Sequence, residues 1–332
     1  MLRSNQSSPW RIALLAGGES DERAISLKSG AAVHAALASR GHLVVPIDPA
    51  DVDLDSLDWQ QFDIAFLALH GRFGEDGVVQ SILDKHGVPY TGSDANASRL
   101  AFSKSAAKER LAQFGVATPP YLLIHYADDA ERIRRLVSQI GYPLVVKPDS
   151  QGSSLGVTIV RREADLAAAL THCFQYDSFG VVEQFIAGTE WTVGLLDDLV
   201  LPPIQIATPR EFYDYEAKYE DDATQYLFET QAPQALLTQI KDIAADACRA
   251  LQTRGLARVD LRIDEQGQPW VLEINTIPGL TDHSLVPKAA AKLGIDFAEF
   301  CERTIVAAFS GRPPRPYLLQ NPAVARRLAD PR

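Results

Sequence analysis

The sequence predicts a mixed fold, with a parallel α/β unit at its N-terminal end and α+β structure built on hairpins after it. Three stretches carry that expectation. From Arg11 to Leu69 the chain alternates strand, helix and strand, the pattern of a parallel sheet with crossover helices. From Tyr142 to Val160 two apolar runs flank a small polar loop and read as strand, loop, strand. From Gly255 to Pro287 two alternating runs meet at Gln266-Gly267, which reads as a β-hairpin with those two as its loop residues.

At 332 residues the chain is long enough for two or three domains and a large core. Its 46% apolar and 23% charged residues are the proportions of an ordinary globular protein rather than a disordered or membrane one. A net charge of −11 disfavours nucleic acid or an anionic membrane as the main partner, so a phosphate-bearing substrate would need local clusters of Lys and Arg. Cys173, Cys248 and Cys301 are too widely spaced for a disulfide framework or a metal knuckle, and suit buried thiols in a reducing cytoplasm. The apolar run Ile12 to Ala16 is too short for a secretory signal, and no stretch approaches a membrane span. These features predict a cytoplasmic protein.

In chain order, Arg11 to Ala16 reads as a buried strand, Gly17-Gly18 as a tight turn, and Ile25 to Ser39 as a helix closed by Arg40-Gly41. His42 to Ile47 and Asp63 to Leu69 supply the next two strands. Ligands of such sheets collect at the carboxyl ends of the strands, where Glu22 and His70 are placed. By itself Glu22 reads as a helix N-terminal charge favoured by the dipole, and His70 as structural. The Gly-Gly pair lacks the G-x-G-x-x-G spacing of a dinucleotide fingerprint. Val78 to His86 reads as a helix, Pro89 to Ser93 as the close of the first unit, and Asn96 to Phe114 as one helix carrying Lys104.

Further on, a strand ending in Lys147-Pro148 enters a small-residue loop and a second strand leaves it at Gly156. Walker and Rossmann phosphate loops run from strand to helix, so this one is neither. Gly152, Ser153 and Ser154 instead read as a lid that closes over phosphates, with Lys147 supplying charge. Lys147 interrupts an apolar strand, and a buried ammonium needs an anion. Val181 to Ile186 is a strand holding Glu183, and Gly188-Thr189-Glu190 opens the next segment; acids there suit an amino group or a ribose hydroxyl. Glu211 to Tyr226 is acidic and tyrosine-rich, and reads as a mobile loop whose Lys218 and Tyr219 reach a substrate. Leu236 to Thr253 and Phe297 to Phe309 read as helices, and the remainder as a proline-rich, loosely held tail.

The hairpin carries the chemistry. With Gln266-Gly267 as the turn, Asp260 faces Glu273 and Arg258 faces Asn275, all on one face because side chains repeat every second residue. Two carboxylates directly opposite repel unless a cation lies between them. Asp, Glu and Asn offer only oxygen, which suits Mg²⁺ with phosphate oxygens and water completing its shell. The strand then runs into Asn-Thr-Ile-Pro-Gly and Thr281 to Ser284, a small-residue loop that presents backbone N–H groups to an anion.

With these residues in place, the chain resembles the D-alanine:D-alanine ligases of the ATP-grasp superfamily, in matching order from Arg11 to about Phe309. The motifs are LLAGGESDERAISLKSG, ALHGRFGEDG, VVKPDSQGSSLGV, FYDYEAKY, RVDLRID and EINTIPGLTDHSLVP. The resemblance implies a three-domain ATP-grasp architecture: an N-terminal α/β domain over 1–100, a central lid domain over 101–187, a C-terminal domain with the metal site over 188–312, and a tail over 313–332. It also implies a homodimer and a two-step reaction through a D-alanyl phosphate that joins two molecules of D-alanine for cell-wall peptidoglycan.

Carried over by motif, Asp260, Glu273 and Asn275 hold two Mg²⁺ or Mn²⁺ ions. Lys104, Lys147, Ser153 and Lys218 meet the ATP phosphates, and Glu183 and Glu190 meet its adenine and ribose. Glu22 takes the ammonium of the first D-alanine and His70 lies near its carboxylate. Glu22, Ser153 and Tyr219 form a hydrogen-bonded set that shuts the lid. Arg258 and the N–H of Gly279 stabilise the oxyanion, and Ser284 with the backbone near Leu285 receives the second carboxylate. Gln151 and Ile277 depart from the Glu and Ser common in the family, and Leu-Phe-Glu at 227–229 replaces a Pro-Ala step. Two alternatives stand beside this: a ligase of D-alanine to D-lactate, against which Tyr219 argues, and a nucleotide-binding protein without turnover, against which the intact ligand set argues.

Overall fold

The computed structural model describes residues 9–208 and 223–309. Its first sheet comprises β1 (Arg11–Leu15), β2 (Leu43–Ile47) and β3 (Ile64–Leu67), parallel and in the order β2-β1-β3, with α1 (Arg23–Ser39) as a crossover and α2 (Val78–Lys85) following β3. The apolar runs of β1 and β3 are buried because helices and loops cover both faces of the sheet. Parallel strands aim their carboxyl ends the same way, so Gly17 to Glu22 and His70 to Glu75 emerge side by side.

The expected single helix from Asn96 to Phe114 is two: α3 (Ala95–Phe102) and α4 (Lys104–Gln113). Ser103 breaks it. Its side chain accepts from the Ala106 N–H as the cap of α4 and donates to Asp149 at 2.7 Å, so a serine prefers a cap to a helix interior here. Lys104 therefore stands on the first turn of a helix rather than along its flank.

The second sheet has the order β4-β7-β5-β6, antiparallel throughout, from β4 (Tyr121–His125), β5 (Leu144–Pro148), β6 (Thr158–Val160) and β7 (Phe179–Gln184), backed by α5 (Ala130–Ile140) and α6 (Leu166–Cys173). The third sheet runs β11-β10-β8-β12-β13, with β9 on β8. Its strands are β8 (Thr189–Leu196), β9 (Leu199–Val200), β10 (Ile204–Ala207), β11 (Gln225–Leu227), β12 (Leu256–Ile263) and β13 (Pro269–Asn275). Around it lie α7 (Gln234–Leu251), α8 (Leu285–Ala291) and α9 (Phe297–Ala307). Gln225 and Tyr226, expected in a loop, pair with β10 at the sheet edge. The remainder of that expected loop over 209–222, with Lys218 and Tyr219, and the tail from 310 onward lie outside the described residues.

The hairpin of β12 and β13 pairs Asp260 with Glu273 and Arg258 with Asn275, as expected, by a different route. The turn is wider than Gln266-Gly267: Ile263 pairs with Pro269, and the Asp264 side chain accepts from the N–H groups of Gln266 and Gln268. A bulge then inserts Leu272 between the pairs Leu261–Val271 and Asp260–Glu273 and restores the register.

The last described helix returns to the first sheet. α9 packs on α1, Phe309 stacks on Trp10 with centroids 5.3 Å apart, and Arg40 and His42 pair with Asp296 and Glu302. One buried cluster thus joins Ile12, Leu14, Val33 and Leu37 to Val286, Phe300 and Ile305. Among the described residues no helix is long and apolar enough to cross a membrane.

Candidate active site

The third sheet's hairpin forms the floor of the site. Arg258 grips Asp260 with a bidentate fork, Nε to Oδ1 at 2.8 Å and Nη2 to Oδ2 at 2.7 Å, and Thr192 donates to Oδ1 at 2.6 Å. Across the pair, Glu273 lies 3.5 Å from Lys104 Nζ. The repulsion expected between the two acids is therefore already answered by an arginine and a lysine. Asn275 Oδ1 accepts the Ile277 N–H at 2.9 Å and holds the start of the following loop.

The second sheet faces this floor and forms the roof. Lys147 donates to Glu183 Oε1 at 2.6 Å, and Lys108 is ion-paired with Glu183 Oε2 at 2.7 Å, all three side chains being buried. Burial alone would raise the Glu183 carboxyl, but the two lysines outweigh it and hold it below its ordinary value. The anion that a lysine in an apolar strand demands is thus an internal one. Glu190 pairs in turn with Arg262 at 3.3 Å. Between roof and floor Val157, Ile159, Ile186 and Leu272 offer apolar walls while Lys104, Lys147 and Arg262 supply charge. Such a slot suits a flat base with a phosphate chain.

The lid loop joins roof to wall. Asp149 accepts from Ser105 N–H and Ser103 at the start of α4, and Lys104 Nζ donates to the Gln151 carbonyl at 2.6 Å. Ser153 and Ser154 adopt φ values of 51° and 58°, a left-handed conformation that side chains other than glycine reach only under constraint. Ser153 donates to Glu22 Oε1, and Gln151 Nε2 donates to Asp21 at 3.0 Å. Glu22 holds the N-cap position of α1 but makes no side-chain cap bond. Its carboxylate turns to the lid instead.

His70 and Ser29 clamp the loop that follows the hairpin. His70 Nδ1 lies 3.0 Å from the Ile277 carbonyl, an arrangement that requires the proton on Nδ1 and leaves Nε2 to accept from Ser29 at 3.0 Å. Ser29 Oγ also accepts the Leu280 N–H at 3.2 Å. Burial pushes the imidazole from 6.5 down to about 4, so His70 is neutral and offers no positive charge to a carboxylate. Both ring nitrogens serve the loop. The unfolded chain protonates this histidine near pH 6.5 and the folded chain not until about 4, so stability falls as pH drops through that window. Urea titrations at pH 7 and pH 4.5 are expected to differ by about 2 kcal/mol in His70's share, and His70→Gln should flatten that dependence.

On the same loop, Gly279 allows close passage of Ser284, whose Oγ would lie 3.0 Å from a β-carbon there. Ser284 Oγ accepts the Thr281 N–H at 3.0 Å and stands immediately before α8, whose first residue is Leu285. Ile277, which departs from the family's serine, is buried in the core beneath the first sheet.

Of the expected residues, Glu22, His70, Lys104, Ser153, Arg258, Glu273, Asn275, Gly279, Ser284 and Leu285 line one cleft of about 680 Å³. Lys147, Glu183, Glu190 and Asp260 line the slot beside it, and Lys104 and Glu273 border both. Lys218 and Tyr219 lie outside the described residues. Sequence reading missed Ser29, Glu75, Lys108 and Arg262. The pairing of Arg262 with Glu190 follows from the register of β12 on β8, which no local pattern reveals, and nothing local marks Ser29 or Lys108.

The donor set fits a hard divalent ion. Among the described residues no three of His, Cys, Asp and Glu converge, so the protein alone forms no cage. Oxygen donors from adjacent strands instead open on the slot (Asp260, Glu273) and on the cleft beside it (Glu273, Asn275), as suits Mg²⁺ sites that share their ion with a nucleotide.

Two antiparallel sheets closing on a lysine-lined slot, with acids on the floor and a serine lid above, define the ATP-grasp class of ligases. The family model described as D-ala D-ala ligase C-terminus matches residues 111–306, and D-ala D-ala ligase N-terminus matches 53–93. A D-alanine–D-alanine ligase of Ectopseudomonas mendocina is 45% identical over 87% of this chain and 91% of its own; one of Pelotomaculum thermopropionicum is 40% identical over 90% and 96%. Among solved structures, the Bacillus anthracis D-alanine–D-alanine ligase complexed with ATP is similar at TM-score 0.79 and 32% identity, covering 91% of this chain and 98% of that one. The VanG D-Ala:D-Ser ligase of Enterococcus faecalis is similar at 0.80 and 25%, covering 91% and 100%. The chain belongs to the D-alanine–D-alanine ligase family.

Proposed function

We propose that the protein joins two molecules of D-alanine with conversion of ATP to ADP and phosphate, supplying the dipeptide of peptidoglycan precursors. The observation that carries this is the convergence of Arg258, Glu273 and Asn275 with Lys104 and the Ser153–Glu22 bond around one cleft, with Asp260, held by Arg258, in the slot beside it. The first D-alanine's carboxylate attacks the γ-phosphorus, and the bond to ADP breaks. The second D-alanine's amine then attacks the acyl carbon, loses a proton, and phosphate leaves.

Lys104 and Lys147, with Lys218 and Ser153, hold the phosphate chain, and Glu190 takes the ribose. Glu183 meets the adenine edge while anchoring Lys147. Asp260, Glu273 and Asn275 would hold two Mg²⁺ or Mn²⁺ ions, which neutralise phosphate charge when bound. Glu22 takes the first ammonium, and His70 positions the 277–280 loop below it. Arg258 and the Gly279 N–H stabilise the oxyanion in a preorganised way. Ser284 and the Leu285 backbone receive the second carboxylate. Tyr219, outside the described residues, is assigned with Glu22 and Ser153 to shutting the lid.

The division at 1–100, 101–187 and 188–312 is supported by one sheet in each unit. We read the protein as a cytoplasmic homodimer, which light scattering tests. With ATP and Mg²⁺, D-alanine is expected to support phosphate release and a product of dipeptide mass, and L-alanine neither. Equal release from both enantiomers would overturn the assignment.

A further inference from the structure

Glu75 follows the first sheet's third strand into the cleft and has no part in the reaction as described so far. It is 7% exposed. Its Oε2 accepts the Gly71 N–H at 3.0 Å, while its Oε1 is buried without a hydrogen-bond partner among the described residues. A carboxylate oxygen held dry and unbonded is costly, and native sites keep one where a ligand completes it. Glu22 is its neighbour across a single glycine. A β-carbon at Gly71 would stand 2.7 Å from Glu22 Oε2, and the same residue's N–H binds Glu75. Burial, and after it the charge of Glu22, push the Glu75 carboxyl well above its ordinary value, with Arg258 opposing and Glu273 adding. Both acids line the cleft that also presents Arg258 and Gly279.

Two acids thus share one dry recess, and Glu75 brings to it an oxygen that no described residue bonds. The reaction brings an amino acid's ammonium to the Glu22 end of this cleft. We propose that Glu75 is a second acceptor for the ammonium of the first D-alanine, acting with Glu22 as a two-carboxylate clamp.

This rests on the assignment of Glu22 to that ammonium and deepens it. A single acid orients an ammonium along one axis, whereas two acids fix its rotation and so the direction of the carboxylate. The clamp also makes the first position selective for an amine. A hydroxy acid would leave both carboxylates without a counter-charge, a larger penalty than a missing hydrogen bond.

Glu75→Gln separates charge from structure, because the amide oxygen still accepts the Gly71 N–H. Initial rates over a wide D-alanine range, fitted to a two-site rate law, give the Michaelis constants of the first and second D-alanine separately. Glu75→Gln is expected to raise the first by roughly ten- to a hundredfold, as for loss of one charge-assisted hydrogen bond, with the second unchanged. The melting temperature of the free enzyme should hold or rise, since a buried like-charge contact is removed. Glu22→Gln is measured beside it. A first constant raised by Glu22→Gln and unmoved by Glu75→Gln overturns the clamp and leaves the site reading intact. If neither substitution moves it, the placing of the ammonium at Glu22 fails with it. Should Glu75→Gln not fold, Glu75→Asp withdraws the carboxylate while keeping its charge: a rise in the first constant then supports the clamp, and an unchanged one overturns it.

Discussion

Arg258→Lys is expected to lower kcat by about 10²–10³-fold while leaving ATP binding nearly unchanged. The substitution keeps the positive charge. What it removes is the planar fork that meets both oxygens of Asp260 and fixes the guanidinium at the cleft wall. A lysine at this site would hold Asp260 as a point charge and wander, so the donor is no longer aimed where negative charge develops. Single-turnover measurements with saturating nucleotide separate the chemical step from binding, and calorimetric titration with ATP checks the second half of the expectation. An unaltered kcat would show that Arg258 serves only to neutralise Asp260.

Glu183→Gln should have the largest effect on stability, a loss of about 3–5 kcal/mol, because it strands two ammonium groups in a dry space. Lys108 is 1% exposed and reaches Thr118 at 2.7 Å and the Pro119 carbonyl at 3.3 Å besides Glu183. Burial pushes it down to about 8 even with the carboxylate present. Without the carboxylate, Lys108 keeps only neutral partners and the two lysines repel each other. The second change Lys108→Met should recover part of the loss, and the double-mutant cycle in urea measures how strongly the pair is coupled. If Glu183→Gln unfolds at the wild-type midpoint, the three charges do not hold the roof to α4.

Particular residues show how far the sequence reached. Alternation over Ala257 to Asn275 determined that Asp260 and Glu273 share a face and stand opposite, and the motif order determined the family. Alternation is a local property, so it survived a turn of the wrong width: the wider loop and the Leu272 bulge each shift the register by one residue and cancel.

Charge partners between distant elements were not legible. Arg258 and Asp260 are two apart on one strand, so alternation places them together, but the anion for Lys147 is Glu183 and the cation for Glu273 is Lys104, and only sheet order and the break at Ser103 bring those groups together. His70 read as structural when taken alone, and its bond to Ile277 gives that reading its content, across a separation in sequence that no periodic pattern spans. A linear division of the chain likewise does not foresee that α9 closes the core begun by β1.

The sequence by itself determined which chemical groups the protein has and which neighbours along a strand share a side. Tertiary structure alone decided which charges on distant elements neutralise one another and that Glu75 stands beside Glu22 with one oxygen that no described residue bonds. Side-chain period is set by the local backbone, whereas pairing between distant elements depends on how whole sheets pack.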